Sequence, residues 1–247
     1  MQILLHDPDF IAVHKPAGLL AHPSPIDRHE KRHALGMARQ LAGCHVYPAH
    51  RLDKPTSGVL LFALNPWAAR ELAGQFAGRQ VEKTYLAVVR GIAPESVVID
   101  HPLADEPDRL AGQESPVSSP PRESITCCRR LAIIELPFAV GRYSSSRYSI
   151  VEARPITGRR RQIRRHLKHL LHPIIGDTTY GEGRHNRLFR DQFGVNRLLL
   201  AAMELSFAHP RSGEPITVTA PLDGEFASII RRFGWEAALP SRWLAPA

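Results

Sequence analysis

The chain has 247 residues, 43% of them hydrophobic and 23% charged, the balance of a soluble globular protein with enough length for a sizeable core. Its longest apolar runs, at 59–64 and 198–203, are about six residues, far short of a membrane span. Lys and Arg number 32 against 24 Asp and Glu, a formal net charge of +8 that favours a polyanionic partner, RNA or DNA before an anionic membrane.

Residues 1–7 carry neither a charged n-region nor a long apolar h-region, so no signal peptide is expected. Cys44, Cys127 and Cys128 make no disulfide framework and no C-x-x-C pair, which fits a reduced, cytoplasmic setting. His166, His169 and His172 would drift around a helix rather than converge, with no carboxylate or thiol beside them, and no metal site is expected.

In chain order, short strands are predicted at 2–5 and 10–14, parted by the turn-like His6-Asp7-Pro8-Asp9. The second runs into Lys15-Pro16-Ala17-Gly18, structurally a tight turn. A polar loop from 21 leads to a helix over about 31–41. Next comes His50-Arg51-Leu52-Asp53-Lys54-Pro55-Thr56-Ser57-Gly58, directly before the buried strand 59–64. Pro55 pushes Asp53-Lys54 towards extended geometry and Gly58 permits a backbone turn other residues resist. Asp53 then sits on a rigid loop at a strand's edge, where scaffolds present catalytic groups; as a turn residue it would cap nearby N–H groups or pair with Arg51.

Asn65-Pro66 reads as an N-cap followed by Pro at the first helical position, and the helix over 67–77 turns Leu72 and Phe76 inward before Gly78. In the strand over 81–91, Lys83, Tyr85, Ala87 and Val89 share one face. The stretch 106–121, rich in proline and serine, has little to bury and is predicted to be a loop insertion within one domain. Strands follow at 131–136 and 147–153. Thr157-Gly158-Arg159-Arg160-Arg161-Gln162-Ile163-Arg164-Arg165-His166-Leu167 opens a helix. At 100° per residue, Ile163, Leu167, Leu170 and Leu171 form its apolar stripe, with Arg161, Arg165 and Lys168 opposite. Arg164 falls on the border, where its stem can be buried and its guanidinium aimed at an inward carboxylate. Five arginines in seven residues, with no acid to pair on the helix, favour a polyanion contact over a merely solvated face. Closing strands at 197–202, 205–210 and 216–220 and a helix over 225–233 complete the chain.

The string His50-Arg51-Leu52-Asp53-x-x-Thr56-Ser57-Gly58 resembles the active-site signature of the RluA-type pseudouridine synthases, with every fixed position filled. Lys15-Pro16-x-Gly18, Lys83-x-Tyr85, Thr157-Gly158-Arg159 with Gln162-Ile163-Arg164, and His172-Pro173-Ile174-Ile175-Gly176-Asp177 resemble further family segments in the same order. Arg161 and Ala201 stand where members often have His. The resemblance implies an α+β fold, a mixed, mainly antiparallel sheet flanked by helices, filling 1–247 as one catalytic domain without a preceding S4-type domain. It implies that Asp53 starts the isomerisation of uridine to pseudouridine, that Tyr85 stacks on the uracil, and that Arg164 pairs with Asp53 while Ile163 walls the site. Arg51, Arg161, Arg165 and Lys168 are candidate substrate contacts. No cofactor and no protein partner are implied. Length, Arg142-Tyr143, Arg147-Tyr148 and Phe233-Gly234-Trp235 resemble members acting on transfer RNA, at uridine 65. A ribosomal-RNA synthase and a catalytically silent RNA-binding protein of the same fold are the alternatives.

Overall fold

In the computed structural model, which describes residues 1–23, 30, 32–104 and 120–244, ten strands join into one sheet. They are β1 (Gln2–His6), β2 (Phe10–Lys15), β3 (Tyr47–Pro48), β4 (Ser57–Ala63), β5 (Glu82–Arg90), β6 (Ser96–Asp100), β7 (Ile125–Leu136), β8 (Ser146–Pro155), β9 (Leu200–Ala208) and β10 (Pro215–Thr219). The order is β1-β2-β4-β9-β5-β8-β7-β6, with β3 on β4 and β10 on β9. Every pairing is antiparallel except β4 with β9, where Ser57 and Gly58 lie beside Ala201 and Ala202. The expected mixed, mainly antiparallel sheet is therefore the one that forms.

Among the described residues five α-helices cover it: α1 (Ala34–Ala42), α2 (Pro66–Ala77), α3 (Gln162–His169), α4 (Gly183–Phe193) and α5 (Gly224–Arg232). The strand period of two divides their contacts. Val59 and Leu61 of β4 pack with Leu72 of α2, while Leu86 and Val88 of β5 pack with Phe189 of α4 and Phe226 of α5. The alternate residues turn to the other face. There Leu60 and Phe62 meet Ala34 and Ala38 of α1, and Ala87 and Val89 meet Ile163 and Leu167 of α3. Tyr85 packs against both clusters of that second face, at the seam between them. A register shift between Thr84 and Tyr85 in the β5–β9 pairing sits directly beside it, the kind of bulge that re-aims a side chain.

Local signals set the element ends. Asn65 Oδ1 accepts from Ala68 N–H at 2.8 Å, with Pro66 opening α2 as predicted. His33 Nδ1 accepts from Gly36 N–H at 3.0 Å, so α1 begins at Ala34, later than expected. The closing segments over 197–210 contain one strand, β9, because β4, β5 and β10 together pair along it. The apolar stripe of α3 is shorter than predicted: the helix stops at His169, Leu171 adopts φ 63 and its side chain is 72% exposed. The left-handed step swings Leu171 off the stripe. The predicted insertion at 106–121 falls, but for its last two residues, outside the described residues.

The β4–β9 contact depends on a missing side chain. Gly58 has φ 114, and a Cβ there would lie 2.0 Å from the carbonyl oxygen of Ala202. Gly58→Ala is expected to destabilise the fold by about 3 kcal/mol. Thermal unfolding should then show a midpoint lowered by roughly 6–12 °C; a midpoint within a degree of the parent would show that the two strands can part without cost.

Candidate active site

Asp53 lies in the loop between β3 and β4, and the backbone around it is fastened at two points. Thr56 N–H donates to Asp53 C=O at 3.0 Å, closing a turn, and Lys54 C=O accepts from Gly18 N–H at 2.9 Å and Lys15 Nζ at 3.1 Å. Lys15 is fully buried and gives its other protons to Pro16 and Leu19 carbonyls at 3.0 and 2.7 Å. Three donors thus meet three acceptors. Burial and the charge of Arg197 push its pKa down to about 7, against the pull of Asp53 and Asp223. The Lys15-Pro16-Ala17-Gly18 turn is more than a turn: its lysine pins the peptide that follows Asp53.

The Asp53 side chain meets neither Arg51 nor the Thr56 N–H. Its Oδ2 accepts from Nη1 of Arg164, at 3.2 Å and across 111 residues of sequence. Arg164 is 5% exposed, and its other edge makes a two-pronged contact with Asp177: Nε to Oδ2 at 2.7 Å and Nη2 to Oδ1 at 2.8 Å. The Tyr180 ring lies 5.2 Å from its Cζ. Burial works against the guanidinium charge, but the hydrogen bonds and charge of Asp177, with those of Asp53, hold its pKa above the ordinary value. Asp177 is 2% exposed; burial would raise its carboxyl, yet Arg164 and the N–H groups of Tyr180 and Thr179 keep it below the usual range.

α3 is held at its start by Gln162. Its Oε1 accepts from Thr157 Oγ1 at 2.7 Å and Arg159 N–H at 2.9 Å, and its Nε2 donates to Ile125 C=O at 2.9 Å and Thr126 Oγ1 at 3.0 Å. His166 adds a 2.9 Å contact with the same Thr126 hydroxyl, so the helix bearing Arg164 is bolted to β7. The preceding Arg161 takes φ 56.

A cleft of about 510 Å³ opens over this pair, lined by Asp53, Arg164, Tyr85, Ile163, Arg51 and Arg161 among others. Burial, then the nearby Asp53 charge, raises the Tyr85 phenol well above its usual range, which keeps it neutral. His50 also lines the cleft, stacked on Phe76 with its Nε2 accepting from Leu61 N–H at 3.1 Å; burial and the Lys83 charge push its pKa down to about 3. Two candidate contacts are not brought in. Arg165 turns its Nη1 to Ala104 C=O at 2.9 Å, and Lys168, exposed, lies 6.0 Å from the Tyr180 ring centroid. Neither is among the residues lining the cleft.

Asp177 is the site residue the sequence reading left unassigned. A lone Asp in a turn after a helix carries only the Asx-turn signal, and it does make that turn, accepting from Thr179 and Tyr180 N–H at 2.9 Å each. Among the described residues one group has metal-ligand geometry, Asp7, Asp9 and His209, and it shares no residue with the cleft. Arg211 already occupies both Asp9 oxygens, at 2.9 and 2.7 Å.

A family model described as RNA pseudouridylate synthase matches residues 9–169. The tRNA pseudouridine synthase C of Vibrio cholerae serotype O1 is 45% identical over 239 residues, covering 97% of this chain and 98% of that protein. The protein of the same name from Haemophilus influenzae is 45% identical over 236 residues, 96% of this chain and 99% of its own. Among solved structures, Human RNA Pseudouridylate Synthase Domain Containing 1 superposes with a TM-score of 0.67 at 30% identity, covering 90% of this chain and 83% of that one.

Removing one partner of a buried pair leaves the other charge uncompensated, so Asp177→Asn should destabilise the protein by on the order of 3 kcal/mol at neutral pH. The folded pKa of Asp177 is depressed, so its contribution is present above the unfolded value, near 4, and is lost as pH falls through the folded value. Denaturant titrations from pH 7 to pH 2 should show the gap between parent and variant closing on the acid side. A gap independent of pH would mean that the carboxylate charge is not what Arg164 depends on.

Proposed function

The chain belongs to the RNA pseudouridylate synthase family, and from that premise we propose that it isomerises uridine to pseudouridine in transfer RNA, at position 65, with Asp53 as the group that starts the reaction. The observation that carries this is the setting of Asp53. It is the one carboxylate among the described residues lining a basic cleft, and it is held from within by a guanidinium that a second, buried carboxylate orients.

The reaction breaks the N1–C1′ bond, turns the uracil in place and joins C5 to C1′. The proton lost from C5 balances the one gained at N1, so no redox or group-carrying cofactor is needed. Asp53 either attacks C1′ or removes the C2′ proton; both routes need a carboxylate oxygen that reaches the sugar, and the hydrogen bond from Arg164 engages Oδ2. The freed base must not escape. Tyr85 offers a neutral ring to stack on it, and Ile163 an apolar wall. A uridine in a stem must be flipped out at a cost of a few kcal/mol, offset by contacts of the cleft cations, Arg51 and Arg161 first, with the backbone. Lys168, exposed on α3, can extend that contact outside the cleft; Arg165, turned to Ala104, is better suited to holding the helix. On this reading 1–247 is one catalytic domain, working in the cytoplasm where transfer RNA is matured.

Asp53→Asn should retain the fold and RNA affinity yet abolish turnover, since an amide neither attacks C1′ nor takes a proton. Arg164→Lys should lower the single-turnover rate about 100-fold, because a point charge cannot hold Asp177 with two prongs and reach Asp53 with a third. Both are read from tritium released to water from RNA labelled at C5 of uridine, in EDTA. Release from transfer RNA but not ribosomal RNA is the expected result, and the reverse selects a ribosomal substrate. Tight RNA binding without any release would make the protein a silent binder, and an Asp53→Asn variant with a tenth of the parent rate would remove Asp53 from the chemistry.

A further inference from the structure

Two of the three non-glycine residues with left-handed backbone among those described are arginines lining the cleft, Arg79 at φ 58 and Arg161 at φ 56. Such conformations are costly for residues with a Cβ and gather where function holds them. Arg161 is accounted for by the entry into α3. Arg79, exposed just past α2, takes its conformation as that helix's C-terminal cap, where Gln80 N–H reaches Gln75 C=O at 2.9 Å, and no step of the isomerisation uses its side chain.

Its partner is Glu123, 44 residues further along. Arg79 Nη2 donates to Glu123 Oε2, while the backbone carbonyl of Glu123 accepts from Nε of Arg159 at 3.2 Å. Arg79 belongs to the cleft wall that includes Phe76 and Ala77, and Arg159 to the wall that includes Gly158 and Arg161. Glu123 therefore ties the two walls together from just outside the lining, through its carboxylate on one side and its backbone carbonyl on the other. Among the described residues the lining carries Arg51, Arg79, Lys83, Arg159, Arg161 and Arg164, with Asp53 the only carboxylate and already held by Arg164. An acid placed at the entrance of a cleft built to attract anions opposes the field around it.

The pair is cheap to open. The Arg79 and Glu123 side chains are 45% and 52% exposed, and ion pairs so exposed add little to stability. A phosphodiester presents the same pair of oxygens to the planar guanidinium fork, and its binding also releases condensed counterions, which a tethered carboxylate cannot do. Resting on the reading that RNA enters this cleft, we infer that Arg79 is a phosphodiester-binding residue at the cleft mouth and that the Glu123 carboxylate fills the phosphate's place until RNA displaces it. The carboxylate keeps Arg79 aimed across the entrance, and its release frees the two walls at the moment the backbone is engaged.

A double-mutant cycle tests this with the full chain and an unmodified transfer RNA transcript at fixed salt. Glu123→Gln should bind about fivefold tighter than the parent, and Arg79→Ala about fivefold weaker. In the Arg79→Ala background, Glu123→Gln should gain no more than the loss of one surface charge brings, since no guanidinium is left to release. Glu236→Gln, at an exposed position outside the cleft lining, reports the effect of losing one negative charge anywhere on the surface. A gain from Glu123→Gln no larger than that of Glu236→Gln, or one that persists undiminished without Arg79, overturns the assignment. Tritium release from the same transcript separates this from the activity. Turnover with an additive cycle removes the phosphate site alone, a coupled cycle without turnover removes the isomerase reading alone, and a parent that binds no RNA removes both.

Discussion

The contact on which the site depends is that between Arg164 and Asp177. A guanidinium with 5% exposure is costly unless its charge is met and its donors are used. Asp177 meets that need on the Nε–Nη2 edge, and the Tyr180 ring covers a face. What remains is one directed donor, Nη1, pointing at Asp53. Asp53 thereby has a partner that is already neutralised and oriented, so the pair can face the cleft without a free buried charge. The backbone N–H groups of Thr179 and Tyr180 hold Asp177 in turn, which makes the arrangement a chain of fixed groups running from a turn, through a helix, to a loop.

The sheet makes these groups meet. Asp53 precedes β4, Tyr85 stands in β5, and β9 lies between those strands, parallel to one and antiparallel to the other. The close approach of β4 to β9 at Gly58 and the register shift beside Tyr85 set where loop and ring fall relative to each other. α3 is packed on the same face through Ile163 and Leu167 and bolted to β7 through Gln162. Lys15, at the end of β2, anchors the far side of the Asp53 loop. Rigid elements therefore carry each part, and the loop that carries Asp53 is fastened to its neighbours.

The basic excess of the chain has a local expression as well as a global one. Six of the described residues around the cleft are cations against one acid, a field that draws in a polyanion before any base is read. Burial modulates that field. His50 is kept neutral, and burial together with the Arg79 charge lowers the pKa of Lys83, so the strongest fixed charges near the mouth are guanidinium groups, which keep their proton in any setting.

The sequence by itself determined what depends on neighbours a few residues apart. The Asn65-Pro66 start of α2, the inward and outward faces of β5 and the turn ahead of β4 were legible because periodicity and turn chemistry are local, while the Asp53 signature was legible as a short string that resembles a family's. It also carried Arg164 on the border of an apolar stripe, though not the partner on its other edge. Only the tertiary structure decided that Asp177 holds Arg164, that Lys15 is buried beneath the Asp53 loop, that Arg165 turns to Ala104, that Leu171 leaves the stripe, and that Glu123 bridges Arg79 and Arg159. Each of those depends on where a chain end or a distant element lands. A turn aspartate, a surface-looking arginine and a lysine before proline have the same local signature whatever they meet, and strand register, a bulge and a left-handed step select the partner.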